Sequence, residues 1–344
     1  IATVTRAQRF LPFTRAAVAR AIEQRSREVE DRDRLATNMQ SLVDLLSEAD
    51  FIARRNQRSC VDAADVEKAL EHQTHRADRL ATEVSRSIAR GLLLIDTEGS
   101  KVGQVNGLAT YSVGGQIFGK PTRITASARV GDGQVIDVQR EAQLGGPIHA
   151  KGVMILSSFL AARFSRKIPH SLRASIVFEQ IYSEVEGDSA SAAELCALLS
   201  ALAGAGICQA IAITGSVNQY GEMQAVGAVN EKIEGFFDVC KTRNGVHGVI
   251  IPSANVQNLM LRADVVAAAE RGEFHIYPAD SVDDAIEILT GMPAGRLSDL
   301  GEFPAGSVNA LVAERLHEFS GIRQVFGATA APTHRLQKSA KLAD

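Results

Sequence analysis

The sequence has no long uninterrupted apolar run, no Cys-x-x-Cys pair and no block of like charges. Its longest apolar stretch, from Leu195 to Ile213, is interrupted by Gly204 and Gly206 and reads as a buried helix followed by a strand. No membrane span, anchor or targeting segment is therefore expected. The four cysteines, Cys60, Cys196, Cys208 and Cys240, lack the histidine company of a metal site, and Cys196 and Cys240 sit in apolar helical text. They read as buried thiols of a cytosolic protein. A net charge of -3, with basic residues scattered among acidic ones, excludes nucleic acid as a main partner. Hydrophobic residues at 45 % and charged residues at 22 % exclude disorder and mark a globular chain. At 344 residues the chain can bury two sizeable cores, so two or three domains are expected. It opens on Ile1 without a methionine, as a fragment of a longer protein or a processed chain would.

Along residues 1–90 apolar positions recur three and four apart, as in Val18, Ile22 and Val29 or Leu42, Leu45 and Leu46, and predict a small all-α domain. Its helices are predicted over Thr14 to Glu30, Leu35 to Arg55 and Ala63 to Arg90, the last with Asp62 as N-cap. From Gly91 the text changes to short β-rich runs between glycines: LLLID, GQVNGLATYSV, RITASARV and GQVIDVQ. From His149 helices and strands alternate: helix Lys151 to Phe164, strand Ser171 to Phe178, helix Ser189 to Ala203, strand Gln209 to Thr214, helix Asn230 to Thr242 and strand Gly248 to Ile251. The predicted class is α+β, with residues 1–90 all-α, residues 91–290 an α/β layer domain, and residues 291–344 a helix from Ser307 to Phe319 with a mobile basic tail.

Two segments carry the residue types of acyl transfer. In EVEGDSASAAELCALL, Gly187 permits a tight turn after a strand and places Ser189 at the first turn of an apolar helix. Free N–H groups at a helix start can receive the oxyanion of a tetrahedral intermediate, although serine is a common N-cap in any protein. In GEMQAVGAVNEKIEGFFDVC, Asn230 reads as N-cap and Lys232 falls in the first helical turn. The helix dipole and the apolar neighbours Val229, Ile233 and Phe236 both depress its proton affinity. A lysine base must fall from roughly 10.4 to about 7 to 8, a change that burial can supply. The alternative for Lys232 is a surface ion pair with Glu231 or Glu234.

The whole block, VEGDSAS followed by AIAITGSVNQYGEMQAVGAVNEKIEGFF, with GGPIHAKGV (145–153) and FEQIYSEVEGDSAS (178–191), resembles the proteolytic domain of the Lon family over residues 91–290. The likeness is closer to the B-type and the bacterial Lon-related branch than to the A-type, whose Gly-Pro-Ser-Ala-Gly core is altered here at Asp188 and Ser191. The resemblance implies a serine endopeptidase with Ser189 as nucleophile and Lys232, 43 residues further on, as base. It places a supporting threonine at Thr214 and an acidic residue near the lysine at Glu186, which would hold a resting state when turned inward and free the amine when turned away. Residues 1–90 resemble the helical lid of AAA+ proteins, with Arg32 and Arg34 both at the place of its sensor arginine. The ATPase core is absent, so no cofactor is expected in this fragment, and ATP and magnesium belong to the full-length protein. A hexameric ring acting in the cytoplasm on unfolded or damaged proteins is implied likewise. A closed Lon-like scaffold and a partner-binding module are the competing readings.

Other motifs are weaker. GGQIFGK (114–120) has phosphate-loop spacing, but Pro121 stands where a magnesium-binding hydroxyl belongs. GDSA (187–190) suggests an esterase core, yet no Asp-x-x-His follows late in the chain. Glu314 and His317 share a helix face without a second ligand pair. His149 either flanks the cleft or is a structural histidine.

Overall fold

The computed structural model describes residues 1–113, 116–164, 171–298 and 301–329. Gly114 and Gly115 of the phosphate-loop-like motif and the tail from residue 330 lie outside the described residues.

The N-terminal part consists of α1 (Ala2–Ala7), α2 (Arg15–Arg27), α3 (Met39–Arg55), α4 (Ala63–Ala77) and α5 (Arg79–Ala89). Local chemistry sets its boundaries. The Thr14 hydroxyl accepts the Ala17 N–H to open α2, and Asn38 Oδ1 accepts the Gln40 and Ser41 N–H groups to open α3. That cap starts α3 four residues later than predicted. The helix predicted over Ala63 to Arg90 is two helices, divided at Asp78. The inward stripes of α2, α3 and α4 form a core rich in alanine, with Ala17, Ala21, Ala49 and Ala53 allowing close approach around Leu45 and Leu46.

The remainder is built on β1 (Ser100–Val102), β2 (Gln104–Val113), β3 (Gln116–Val130) and β4 (Gln134–Asp137), then α6 (Val138–Glu141), α7 (Pro147–Phe164), β5 (Leu172–Phe178) and α8 (Ser191–Ala203). It continues through β6 (Gly206–Cys208), β7 (Ile211–Ile213), β8 (Ser216–Val217), β9 (Met223–Gln224) and α9 (Val229–Cys240). It closes with β10 (His247–Pro252), α10 (Ala263–Glu270), β11 (Phe274–Ala279), α11 (Val282–Thr290) and α12 (Val308–Thr329). The main sheet runs β11-β10-β7-β2-β3-β5-β4, parallel from β11 to β2 and antiparallel at β2–β3 and β3–β5. LLLID forms no strand. There the Gln180 carboxamide takes the place of a neighbouring strand, accepting from Leu94 N and donating to Leu92 O.

Strand alternation sends side chains to two cores, one on each face. On β10, Ile250 joins α7, α8, α11 and α12, whereas Val249 and Ile251 join α9 and α10. Helix α8 is buried along most of its length, Leu195, Leu198 and Leu199 included, and α12 packs onto it through Val308, Val312 and Leu316. The central strands therefore end between α8 on one face and α9 on the other. Ligand sites of α/β sheets form in crevices at such carboxyl ends.

Candidate active site

Thr214 and Gly215 follow the last residue of β7, and the turn carrying Ser189 is bonded to them. Thr214 Oγ1 donates to Ser189 O at 3.1 Å, Gly215 N donates to the same carbonyl at 2.9 Å, and Ala192 N donates to Gly215 O at 3.0 Å. Ser216 Oγ donates to Asp188 Oδ2 at 2.9 Å, and Ser191 Oγ accepts Val217 N at 3.0 Å. Serines, threonine and backbone thus fix one turn to one strand end. Thr214 is fully buried, and its hydroxyl serves the Ser189 carbonyl rather than its own backbone.

Helix α8 begins at Ser191 with Ala190 as N-cap, so Ser189 lies one residue before the cap rather than within the first helical turn. Ser189 is half-buried. The backbone N–H groups of Ser189 and Ala190 have no acceptor among the described residues, which leaves them free for an incoming anion.

Lys232 reaches the site from the opposite face on α9, which opens one residue earlier than predicted, at Val229. Its N-cap is Ala228 in the left-handed region with φ 55°. Asn230 is not the cap: its Oδ1 accepts Met260 N at 2.7 Å and its Nδ2 donates to Asn258 O at 2.9 Å. These bonds tie the first turn of α9 to the segment after β10. Val229, Ile233 and Phe236 are fully buried beside a lysine that is 3 % exposed. Burial draws the amine down to about 8, against weaker upward pulls from the Glu30 and Asp188 carboxylates. No hydrogen bond links Lys232 Nζ and Ser189 Oγ in this structure, and neither atom bonds to another described residue.

The depth of α9 against the sheet is set by two glycines. A Cβ at Gly119 on β3 would lie 1.9 Å from Glu231 O and 2.8 Å from Lys232 Cα, and one at Gly235 would lie 2.2 Å from Gly119 O. Gly119→Ala is therefore expected to push α9 outward, costing about 1 to 3 kcal/mol and displacing the amine. Thermal unfolding and hydrolysis of a peptide check it, and unchanged values in both would exclude this role for the glycine contact.

Glu186 does not face the lysine. Its Oε1 accepts Ile148 N at 3.3 Å at the start of α7, where a carboxylate favours the helix dipole. The carboxylates that act on Lys232 are Asp188, which the sequence presented only as a departure from the A-type core, and Glu30 of the helical part, for which no sequence signal exists. His149 is buried rather than at a cleft wall. Its Nε2 lies 2.9 Å from Asp137 Oδ2, and its Nδ1 lies 3.6 Å from Glu194 Oε1, with all three side chains at most 2 % exposed. Burial raises Glu194 to about 7. The one hint of this cluster in the sequence is a glutamate inside the otherwise apolar helix SAAELCALL.

Among the described residues no group of three or more His, Cys, Asp or Glu side chains is placed to hold a metal, and no helix is long and apolar enough to cross a membrane. The four cysteines are free thiols.

Both parts of the chain match known sequences. Residues 61–291 match the Lon protease (S16) C-terminal proteolytic domain, and residues 12–76 match the archaeal LonB AAA+ ATPase LID domain. The chain is 48 % identical over 229 residues to a putative Lon protease homolog of Escherichia coli (strain K12), covering 65 % of this chain and 39 % of that protein. It is 39 % identical over 269 residues to a putative Lon protease homolog of Haemophilus influenzae, covering 77 % and 44 %. Against the archaeal Lon protease of Archaeoglobus fulgidus it is 29 % identical over 283 residues, covering 80 % and 42 %. The chain thus spans about two fifths of the length of the curated relatives it matches. An α-helical N-terminal part, a mixed α/β sheet domain and the span of the family match together place the chain in the Lon protease family, carrying its proteolytic domain.

Proposed function

We propose that this chain is the serine endopeptidase portion of an ATP-dependent Lon-type protease, with Ser189 as nucleophile and Lys232 as its base. The observation that carries the reading is a nearly fully buried lysine on α9, drawn down to about 8, free of any ion pair among the described residues and near enough to the Ser189 turn for the Asp188 carboxylate to act on it. At pH values near 8 a substantial share of the amine is neutral and able to accept the hydroxyl proton.

In the proposed reaction, neutral Lys232 takes the proton of Ser189 and Oγ attacks the peptide carbonyl. The N–H groups of Ser189 and Ala190 receive the developing oxyanion. The ammonium then protonates the leaving amine, and the neutral lysine activates water to release the acyl group. Ser189 and Lys232 must close to hydrogen-bond distance for the first step, and such contacts are often long until substrate is bound. Thr214 acts on the backbone of the nucleophile turn, holding the Ser189 carbonyl away from the attacking side.

Unfolded or damaged proteins are the proposed substrates, and a hexameric ring in the cytoplasm the proposed assembly. ATP and magnesium are assigned to the longer protein. The phosphate-loop-like segment does not fit them: Lys120 and Pro121 lie inside β3, paired with Ala109 and Leu108 of β2, and no helix begins there. No chemical step is therefore assigned to nucleotide.

The test compares the wild type with Ser189→Ala towards an unstructured protein and a peptide boronate. Cleavage and boronate capture by the wild type alone support the reading. Equal inertness of both proteins to both reagents would favour a closed scaffold instead.

A further inference from the structure

The first turn of α9 carries Lys232 but no cap of its own. Its N-cap, Ala228, makes no side-chain bond to the free N–H groups of that turn. Packing of Val229, Ile233 and Phe236 holds the helix to the sheet, but apolar contact is non-directional and leaves the helix's rotation to bonds of stricter geometry. Residues 258–262 supply them. Asn230 donates to Asn258 O and accepts from Met260 N, Glu234 Oε1 accepts Arg262 N at 2.8 Å, and Asp238 accepts Arg262 Nη1 and Nη2 at 3.0 and 2.7 Å. Asn230, Glu234 and Asp238 recur at every fourth position and form one stripe along α9. Lys232 lies about 200° round the helix from both Asn230 and Glu234, so the rotation that the stripe fixes is the rotation that aims the amine.

The helical part binds at the middle of this stripe. Arg27, in the last turn of α2, donates from Nη1 and Nη2 to the two oxygens of Glu234 at 2.8 and 2.7 Å, and from Nη1 to Met260 O at 2.7 Å. Its Nη2 stands 3.6 Å from Glu231 Oε1. Beyond α2 the Glu30 carbonyl accepts Asn258 Nδ2 at 2.8 Å. Residues 258–262 are therefore bonded to α9 on one side and to the helical part on the other, and Arg27 is bonded to both. The Glu234 side chain is 8 % exposed and that of Arg27 19 %, so a fork-to-carboxylate pair is held largely out of water, where its geometry is strict and the loss of one partner is costly. Without the guanidinium, Glu234 keeps Arg262 N as its one donor among the described residues.

We infer that Arg27 of the helical part is a positioning residue for Lys232, clamping Glu234 and Met260 so that the uncapped start of α9 is held in the rotation that aims the amine. The inference rests on the reading of Lys232 as the base. Seating of the helical part thereby becomes a condition for a competent base. With α2 docked, one guanidinium ties the start of α9 and residues 258–262 together. With α2 lifted, α9 keeps its bonds to residues 258–262, but those residues lose their own anchor. The effect is one of geometry, carried from α2 into α9 without rearrangement of the turn that bears Ser189.

Hydrogen–deuterium exchange read by mass spectrometry, together with steady-state peptide hydrolysis, tests this in the full chain. Arg27→Gln is expected to speed exchange of the backbone amides of residues 229–236 by about tenfold while leaving residues 191–203 of α8 as in the wild type. Arg27→Lys, which keeps the charge but not the fork, is expected to restore part of the protection. In a Glu234→Gln background the Arg27→Gln change is expected to add less than about threefold. The kcat of Arg27→Gln is expected to fall by about tenfold with KM within about twofold of the wild type, because the base is displaced and the surface that binds substrate is not. Unchanged exchange in residues 229–236 overturns the proposal. So does faster exchange spread evenly over α8 and α9, or an unmoved kcat in a variant whose α9 has lost protection. An inert wild type is a failure of the Lys232 reading, seen in the Ser189→Ala assay, and the exchange then decides the clamp alone.

Discussion

Ser189→Ala and Lys232→Met are both expected to abolish peptide hydrolysis while moving stability differently. Loss of the proposed nucleophile should lower the rate by about 10⁴-fold or more, leaving only what binding and the free N–H groups supply. Loss of the proposed base should lower it by about 10²- to 10⁴-fold. The stability effects diverge because the two side chains sit in different surroundings. Ser189 is half-buried and its hydroxyl bonds to no described residue, so alanine should change unfolding by less than about 1 kcal/mol. Lys232 is buried among Val229, Ile233 and Phe236, and its amine is drawn from 10.5 down to about 8. The folded state thus binds this proton less tightly than the unfolded chain does. The resulting penalty is fully present below pH 8 and relieved as pH rises from 8 towards 10.5. Methionine fills a similar volume without charge, so Lys232→Met should gain on the order of 2 to 3 kcal/mol at pH 7, and the gain should shrink above pH 8. Urea unfolding at pH 7 and pH 10 measures this. A methionine variant no more stable than the wild type at pH 7 would mean that the amine is solvated and that its proton affinity is not set by burial. Wild-type hydrolysis should rise with pH up to about 8, and a rate independent of pH from 6 to 9 would contradict a lysine base.

The parts of the fold that were legible in the sequence are those whose information is local. Alternating apolar text and glycine punctuation located β2, β5, α8, α9 and β10 to within a few residues, because each is buried on at least one continuous face. The misreadings have distant causes. Leu92 to Ile95 has the composition of a strand, but its backbone partners come from the side chain of Gln180. Asn230 has the look of an N-cap, but its side chain is used by Asn258 and Met260. The division at Asp78 has neither proline nor glycine to mark it. At the site, Ser189, Thr214 and Lys232 stand out in the sequence because family blocks surround them, while local physics leaves each with two readings. The direction of Glu186 and the approach of Glu30 were not legible. The first depends on the start of α7 that its carboxylate finds, and the second on the pairing of Arg27 with Glu234, 207 positions away in the sequence.

Glu194→Gln is expected to make the protein more stable at pH 8 while changing little at pH 5. Glu194 is enclosed on α8 and neither carboxyl oxygen has a hydrogen-bond partner among the described residues. Burial, aided by Asp137 and opposed by His149, raises it from 4.5 to about 7. The folded state therefore binds this proton more tightly than the unfolded chain. The associated stability is lost as pH rises from 4.5 through 7. His149 works in the same direction. Despite a downward pull from burial, Asp137, Glu194 and Glu186 raise it above 6.5, so its contribution is present below 6.5 and lost as pH rises through the raised value. Once pH has passed both raised values, the cluster sets carboxylates around an uncharged ring in a dry space. A neutral amide removes one of those charges, and the gain at pH 8 should be on the order of 2 kcal/mol. The effect should also reach the active site, because Glu194 N donates to Ala190 O in the turn that follows Ser189, and α7 and β4 meet α8 through the same three side chains. Thermal unfolding of both proteins between pH 5 and pH 9 measures the difference. Parallel curves would show that Glu194 carries its proton throughout the range or is reached by water, and hydrolysis by the glutamine variant should persist to higher pH than in the wild type.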